Sequence, residues 1–276
     1  MIWTVLYWFG ISLTFLIIAK TIERCIRSVY ITDLYKRYVL ITGCDSGFGK
    51  SLAVHLDSKG IPVIATCLTE EGEKDLKHEC SSRIQTFILD VTNDEQVLEL
   101  RNKLETKLKN GLHALVNNAG IRGPSVSGDL ECYESKDFLE VLHVNTVAMA
   151  NLSIRFLPLL EKAKGRIINM GSAIGRMASP NLLPYCMSKH ATEGLTDSLR
   201  TTLQHRKSSV SVHLMEPGLY VTNLLCPKLL TKKLIAGFDR LPEESKEKYR
   251  VKTYYTDKYL KINDYYTLNA SKDLQE

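Results

Sequence analysis

The stretch YVLITGCDSGFGKSLAVHL at residues 38–56 decides the fold. Its first part, Tyr38–Thr42, is short, apolar and rich in β-branched residues, which is typical of a buried strand. Its last part runs with helical spacing from Ser51 and ends before Gly60. The glycines between them follow the spacing Gly-x-x-x-Gly-x-Gly, where a backbone can approach a pyrophosphate at a helix N-terminus. A tight turn without a ligand is the alternative interpretation of this stretch taken alone.

Strands and helices alternate along the rest of the chain. After Tyr38–Thr42, five more strands are predicted at Ile61–Thr66, Ile84–Leu89, Leu112–Val116, Gly165–Met170 and Val210–Met215. The clearest helices between them are Glu95–Lys109, Lys136–Leu160 and Tyr185–Gln204. This alternation predicts an α/β fold, a Rossmann-type doubly wound parallel sheet with helices on both faces. A ligand is expected at the carboxyl ends of the strands.

Three side chains in the second half of the chain form a chemical pattern. Tyr185 and Lys189 are four residues apart and lie on one face of a helix, and Ser172 precedes them. A phenol has a reference pKa of about 10, and a neighbouring ammonium lowers it. A serine hydroxyl can polarise a carbonyl or alcohol oxygen. Together these groups can move a proton on or off an alcohol while a bound cofactor takes the hydride. Each residue alone could instead be a packing or capping residue.

The chain resembles the short-chain dehydrogenase/reductase family over residues 37–260. The motifs that carry the resemblance are Thr42-Gly-x-x-x-Gly-x-Gly49, Asn117-Asn-Ala-Gly120, Asn145, Ser172, Tyr185-x-x-x-Lys189 and Pro217-Gly218. The segments VLITGCDSGFGKSLA, LDVT, LVNNAG, FLPLLEKAKGRIIN and EPGLYVTNL look like one branch, the membrane-associated retinol and hydroxysteroid dehydrogenases and their relative 3-hydroxybutyrate dehydrogenase.

The resemblance implies a role for each matched residue. Tyr185 becomes the general acid/base, and Lys189 lowers its pKa and holds the nicotinamide ribose. Ser172 holds the substrate oxygen, and Asn145 keeps open a water-linked proton path. Besides Tyr185 and Lys189, the implied cofactor contacts are Gly43, Asp45, Ser46, Gly47, Phe48, Gly49, Asp90, Val91, Asn118, Ala119, Gly120, Pro217, Gly218 and Thr222.

The implied activity is that of an NAD(P)-dependent alcohol dehydrogenase or carbonyl reductase acting on a lipophilic primary or secondary alcohol, of retinol or hydroxysteroid type. One alternative is a 3-hydroxybutyrate-type dehydrogenase, and another is a C-terminally truncated, non-catalytic binding protein. NAD is expected over NADP, the other possible cofactor, because Thr69, Glu70 and Glu71 follow the second strand and none pairs with a 2′-phosphate. Asp45 is expected to replace the usual acidic ribose acceptor.

The N-terminus carries a second strong signal. Residues 2–19 contain no charge, and 18 helical residues span about 27 Å, close to the thickness of a bilayer core. Lys20, Arg24 and Arg27 follow, so an uncleaved single-pass anchor with a cytosolic catalytic domain is predicted. A cleaved signal peptide is the alternative, although it would require a basic n-region. The family resemblance implies the endoplasmic reticulum or another intracellular membrane.

Four segments are predicted: an anchor (1–19), a juxtamembrane connector (20–37), a dinucleotide-binding catalytic domain (38–226), and a substrate-covering segment with a short tail (227–276). Relatives continue for a few dozen residues with a further helix and a seventh strand. The polar tail from Ile262 contains no such apolar run. The sixth strand is therefore expected to be an unpaired edge, with a marginally stable domain as the consequence.

Composition excludes several other classes of protein. The chain has 276 residues, a net charge of +5 and 44% hydrophobic residues, as an ordinary globular domain does. The net charge is only mildly positive, so nucleic acid is not an expected partner. The seven cysteines are odd in number and form no C-x-x-C pair, which predicts reduced thiols and no metal site. A homo-oligomer is left open.

Overall fold

The structure is a computed structural model that describes residues 2–27, 33–124, 126–179, 182–218, 220, 227–249 and 252–268. It divides into two compact units, residues 1–34 and residues 35–276. The first unit contains helix α1 (Ile2–Arg27), whose described side chains are exposed up to Cys25. By length and composition, Leu6–Cys25 is long and apolar enough to cross a membrane. The helix extends eight residues past the predicted end of the anchor.

A six-stranded parallel sheet forms the second unit, which confirms the predicted fold class. Its strands are β1 (Val39–Ile41), β2 (Val63–Cys67), β3 (Gln85–Ile88), β4 (Ala114–Asn117), β5 (Arg166–Met170) and β6 (Ser211–Met215). They lie side by side in the order β3-β2-β1-β4-β5-β6, and every neighbouring pair is parallel. The order reverses between β1 and β4, so a crevice is expected there at the carboxyl edge.

Helices connect and cover these strands. Six of them are α2 (Gly47–Ser58), α3 (Glu70–Glu79), α4 (Asp94–Lys107), α5 (Ser135–Leu142), α6 (Ala148–Ala163) and α7 (Leu183–His205). The prediction of one regular helix over Lys136–Leu160 is wrong in one respect. A π-helical segment, His143–Val147, separates α5 from α6. Such segments are rare and occur frequently at functional sites.

Two apolar cores lie on opposite faces of the sheet, because side chains alternate along a strand. Leu40 of β1 packs in one core with residues of α4, α6 and α7, such as Leu104, Phe156 and Leu203. Its neighbours Val39 and Ile41 pack in the other core, against α2 and α3. Burial of this apolar surface is the main source of the domain's stability. It also holds the carboxyl ends of β1 and β4 rigidly in place.

In the described part of the chain, β6 is an edge strand, as the sequence predicts. Its residues Ser211, His213 and Met215 are exposed, and Val212 between them is buried. The side of β6 that carries Val212 therefore faces the α4/α6/α7 core, and its other side is open to solvent.

Beyond residue 226 lie α8 (Pro227–Arg240), α9 (Glu243–Tyr249) and α10 (Lys252–Leu268). They form a small core of their own, centred on the fully buried Tyr255. The Tyr255 hydroxyl accepts a hydrogen bond from Asp129 N at 2.8 Å, which joins this core to the loop after β4. The helix α10 continues seven residues into the tail predicted to begin at Ile262, so the start of that tail is helical.

Candidate active site

The glycine turn between β1 and α2 requires glycine for reasons of geometry. Gly43 and Gly47 have φ angles of +69° and +62°, in the left-handed region that favours glycine. A Cβ on Gly49 would lie 2.4 Å from both Asn118 Nδ2 and the Gly43 carbonyl oxygen. The backbone of the turn is therefore packed too closely for any side chain at position 49. Because the turn directly follows β1, it lies at the carboxyl edge of the sheet.

The N-terminus of α2 faces this turn. Ser46 is the N-cap residue, and among the described residues its side chain makes no capping hydrogen bond. The first N–H groups of a helix have no intrahelical partner and carry partial positive charge. Phe48, in the first turn of α2, packs edge-to-face against Tyr220 with 5.2 Å between ring centroids. This end of α2 has the geometry of an anion site.

The segment after β4 is tied to the glycine turn. Asn118 Nδ2 donates to the carbonyl oxygens of Thr42 at 2.8 Å and Gly43 at 3.0 Å. Thr42 Oγ1 accepts from the backbone N–H groups of Asn118 and Ala119, both at 3.0 Å. The adjacent Gly120 lies beside Asn145, whose Oδ1 would be 3.1 Å from an added Cβ. The motifs predicted to share a site are thus in direct contact.

Asp45 links the glycine turn to the end of β2. Its Oδ2 accepts from Leu68 N at 2.8 Å, and its Oδ1 accepts from Thr69 N at 2.9 Å and Thr69 Oγ1 at 2.8 Å. Thr69 in turn caps α3 by accepting from Gly72 N. The carboxylate therefore orders the loop after β2, where the adenosine ribose lies in dinucleotide-binding folds.

Asp90 and Val91 follow β3 at the same edge. Asp90 Oδ1 accepts from Thr92 N at 2.9 Å and Thr92 Oγ1 at 2.7 Å, which holds the turn into α4. Its own N–H donates to Gln96 Oε1 at 2.8 Å. Val91 is buried with 7% of its surface exposed. Both residues lie where the sequence predicts them, and Asp90 Oδ1 is engaged in the turn itself.

Ser172 and Tyr185 lie together, after β5 and at the start of α7. Ser172 Oγ accepts from Ile174 N at 3.2 Å, which caps a short 3₁₀ turn. Burial raises the pKa of the Tyr185 phenol above its usual value, while Ser172 and the Arg122 charge act to lower it. Burial is the largest of these effects, so the net shift is upward and not the lowering that the sequence predicts for a tyrosine beside Lys189.

Lys189 lies one turn after Tyr185 and is buried. Its Nζ is 5.6 Å from the centre of the Tyr185 ring and donates to the Met170 carbonyl oxygen at 2.7 Å. Burial lowers the pKa of the Lys189 ammonium from its usual value to about 8. The side chain therefore changes charge near neutral pH, and its present partner is a backbone oxygen at the end of β5.

Asn145 lies in the π-helical segment and is fully buried. Its Oδ1 accepts from Ile121 N at 2.8 Å, and its Nδ2 donates to the Ile121 carbonyl at 2.8 Å and to Ser188 Oγ at 2.9 Å. Ser188 Oγ donates to the Tyr185 carbonyl at 2.8 Å. Asn145 thus connects the loop after β4 with the helix that carries Tyr185.

The segment after β6 completes the edge. The Pro217 carbonyl accepts from Ala173 N at 3.1 Å, so the turn that contains Gly218 lies beside Ser172. Thr222, the last predicted cofactor contact, lies outside the described residues. With that exception, the structure brings the predicted site residues to one edge of the sheet.

Two residues near Tyr185 were missed in the sequence. Ser188 links Asn145 to α7, and its only sequence signal is a small polar residue three positions after Tyr185. Arg122, directly after the Asn117–Gly120 motif, contributes positive charge at Tyr185. The Lys233 Nζ, from α8, binds the neighbouring Gly123 carbonyl at 2.9 Å. Neither role follows from spacing, because each depends on contacts between distant segments.

The arrangement fits a dinucleotide. The side-chain-free backbone of the glycine turn and the uncapped start of α2 suit a pyrophosphate, and Asp45 stands where a ribose hydroxyl is expected. Lys189, Tyr185 and Ser172 stand at the other end of the same edge, where a nicotinamide and a substrate oxygen would meet. A turn without a ligand would not require this second group.

Comparison with known proteins supports this assignment. Residues 37–232 match a family model described as short chain dehydrogenase. Retinol dehydrogenase 7 of Rattus norvegicus is 40% identical over 88% of this chain and 75% of its own length. Short-chain dehydrogenase/reductase family 9C member 7 of Mus musculus is 40% identical over 82% of this chain and 71% of its own.

A solved short-chain dehydrogenase/reductase from Burkholderia phymatum, in complex with NAD, has 26% identity and a TM-score of 0.63 over 71% of this chain and 70% of that one. A short-chain dehydrogenase structure from Pseudomonas syringae has 29% identity and a TM-score of 0.64 over 71% and 81%. The chain therefore belongs to the short-chain dehydrogenase family of nicotinamide-dependent oxidoreductases.

Proposed function

We propose that this protein oxidises a lipophilic alcohol of retinol type, or reduces the corresponding carbonyl, with Tyr185 as the general acid/base. The convergence of Ser172, Tyr185 and Lys189 beside the glycine turn carries the proposal. The relatives named retinol dehydrogenase support the substrate class. They do not favour a 3-hydroxybutyrate-type enzyme or a non-catalytic binding protein.

Ser172 and Tyr185 have different roles at the substrate oxygen. Ser172 Oγ donates a hydrogen bond to that oxygen, and the Tyr185 phenol gives it a proton or takes one from it. Because the pKa of Tyr185 is raised by burial, the phenol is protonated at neutral pH and ready to donate to a carbonyl. Oxidation needs the phenolate and is expected to speed up as the pH rises. A bound nicotinamide supplies or accepts the hydride.

Substitution of Tyr185 by Phe tests the assignment. The change removes one hydroxyl and none of the groups at the glycine turn, so turnover should fall by about 10²–10⁴-fold while NAD affinity stays nearly unchanged. The assay follows NADH formation by the purified protein with retinol, hydroxysteroids and 3-hydroxybutyrate. A Tyr185→Phe enzyme that keeps more than about a tenth of the wild-type kcat contradicts the role. If the protein oxidises only 3-hydroxybutyrate, the proposed class of lipophilic alcohol substrates is wrong.

NAD rather than NADP is the proposed cofactor. The Asp45 carboxylate is held at the end of β2, and Glu70, Glu71 and Glu73 stand in the first turn of α3. A 2′-phosphate would bring two further negative charges beside the Asp45 carboxylate, whereas a ribose hydroxyl can donate to it. The ratio of kcat/KM values for the two cofactors is the measurement. Equal values, or an NADP preference, would contradict the proposal.

Membrane association is proposed through α1. The helix exposes apolar side chains along its length, including Phe9, Phe15 and Ile17. Trp3 and Trp8 near its start suit the interfacial region of a bilayer. We place the protein on an intracellular membrane such as the endoplasmic reticulum, in a single pass with the catalytic domain on the cytosolic side. The glycosylation sequon at Asn269, outside the described residues, provides the readout. Glycosylation there in cells would reverse this orientation.

A further inference from the structure

An ion-pair cluster lies on the same elements as the proposed catalytic residues. Arg176 Nη2 is 2.7 Å from Glu193 Oε2, and Arg176 Nε is 2.7 Å from Glu216 Oε1. A second contact joins Arg176 Nη2 to Glu216 Oε2 at 3.3 Å. One guanidinium thus bridges two carboxylates that come from different parts of the chain. We call Arg176, Glu193 and Glu216 the Arg176 cluster.

Each member of the Arg176 cluster is close in sequence to a residue of the proposed site. Arg176 follows Ser172 by four residues, across the 3₁₀ turn that Ser172 caps. Glu193 follows Lys189 by four residues on α7, which is one helical turn. Glu216 directly precedes Pro217 at the end of β6. The cluster therefore joins three parts of the proposed site. They are the 3₁₀ turn capped by Ser172, the helix α7 that carries Tyr185 and Lys189, and the Pro217–Gly218 turn.

The Glu193 carboxylate of the cluster is largely buried. Glu193 has only 11% of its side chain exposed, and a Cβ on Gly175 would lie 2.9 Å from its Oε1. Burial and the charge of Glu216 raise the pKa of Glu193, and Arg176 opposes both effects. A buried carboxylate that loses its cation is strongly unfavourable. Removing Arg176 should therefore disturb Glu193 and the segments around it.

Two backbone hydrogen bonds join the segment around Ser172 to the end of β6 and the residues that follow it. Gly171 N donates to the Met215 carbonyl at 2.8 Å, and Ala173 N donates to the Pro217 carbonyl at 3.1 Å. These two bonds flank Ser172 and fix its position relative to the Pro217–Gly218 turn. The Arg176 cluster clamps the same two segments through side chains. A shift of either segment would change the position of Ser172 relative to the Pro217–Gly218 turn.

We propose that the Arg176 cluster positions Ser172 and the Pro217–Gly218 turn against Tyr185 and Lys189, so that Arg176, Glu193 and Glu216 are positioning residues for the reaction. The kinetic part of this inference depends on the proposed function. A displacement of about 1 Å in a reacting geometry can cost as much as 10²-fold in rate. The cluster should therefore matter for turnover, and the loss of Arg176 should also cost stability because it leaves the buried Glu193 carboxylate without its cation.

The test compares Arg176→Gln with a matched control, Arg101→Gln. Arg101 also pairs with a carboxylate in two contacts, Glu105 at 2.7 and 3.0 Å, but on α4. With retinol and NAD, Arg176→Gln should lower kcat by about 10- to 100-fold with little change in KM. Arg101→Gln should behave like wild type. Arg176→Lys should recover only part of the rate, because an ammonium cannot bridge two carboxylates as a planar fork does. A kcat for Arg176→Gln equal to that of Arg101→Gln overturns the proposal.

A second readout does not depend on turnover. Hydrogen exchange at the Gly171 and Ala173 amides should be faster in Arg176→Gln than in wild type, while sheet amides such as Leu40 and Leu115 stay protected. If wild type turns over no alcohol, the proposed function fails, and this exchange still decides whether the cluster positions the two segments. Unchanged exchange at both amides overturns the positioning role. If Arg176→Gln does not fold, the same measurements on Arg176→Lys decide the question.

Discussion

At the scale of single residues, Lys189 is a site residue whose pKa is moved towards neutral pH by burial. The sequence places it one helical turn after Tyr185 but gives no sign that it is buried against the Met170 carbonyl. Burial lowers its pKa to about 8, so its charge depends on pH in the range where the protein would work. As an ammonium it can donate to ribose hydroxyls, and as a neutral amine it loses both the charge and one donor.

This gives a prediction about cofactor affinity. Because the ammonium form dominates below the lowered pKa, NAD should bind well near neutral pH and more weakly as the pH rises through about 8. The measurement is the Kd for NAD by titration calorimetry at several pH values. Lys189→Met is the control, in which the overall affinity is lower and this pH dependence is lost. A wild-type Kd that stays constant across the range would contradict the role given to Lys189.

At the scale of secondary-structure elements, the glycine turn and α2 could be predicted from the sequence, and the π-helical segment could not. Glycine spacing and apolar periodicity are local signals, and they define strand β1 and helix α2 to within a few residues. The π segment at Asn145 instead depends on distant partners, Ile121 and Ser188, which hold its side chain. The same limitation applies to Arg176, whose two partners are 17 and 40 residues away.

The glycine turn supports a prediction with an internal control. In Gly49→Ala the new methyl group would meet Asn118 Nδ2 and the Gly43 carbonyl at 2.4 Å, so the turn must move. NAD affinity should fall at least tenfold. Gly194→Ala, on the exposed side of α7 with no atom within 4 Å, should bind NAD normally and gain up to about 1 kcal/mol in stability. Equal NAD affinities for the two variants would show that the backbone approach at Gly49 does not matter.

At the scale of the whole molecule, the two compact units have different surfaces. The catalytic unit buries its apolar residues in two cores on the sheet and a third among α8–α10. Helix α1 does the reverse and exposes large apolar side chains along its length. A helix of this kind is stable in a lipid bilayer, where its backbone is satisfied internally and its side chains meet an apolar solvent.

Deletion of residues 1–19 should therefore separate membrane binding from catalysis. The truncated protein should move from the membrane pellet to the soluble fraction after carbonate extraction, because the apolar part of α1 is removed. Its melting temperature and its Kd for NAD should match those of the full chain in detergent, because among the described residues the side chains that pack in the three cores begin at Tyr38. Its KM for retinol presented in vesicles should rise, while KM for retinol on a soluble carrier should not. A truncated protein that unfolds, or that still sediments with membranes, would mean that α1 is part of the folded domain or that a second surface binds lipid.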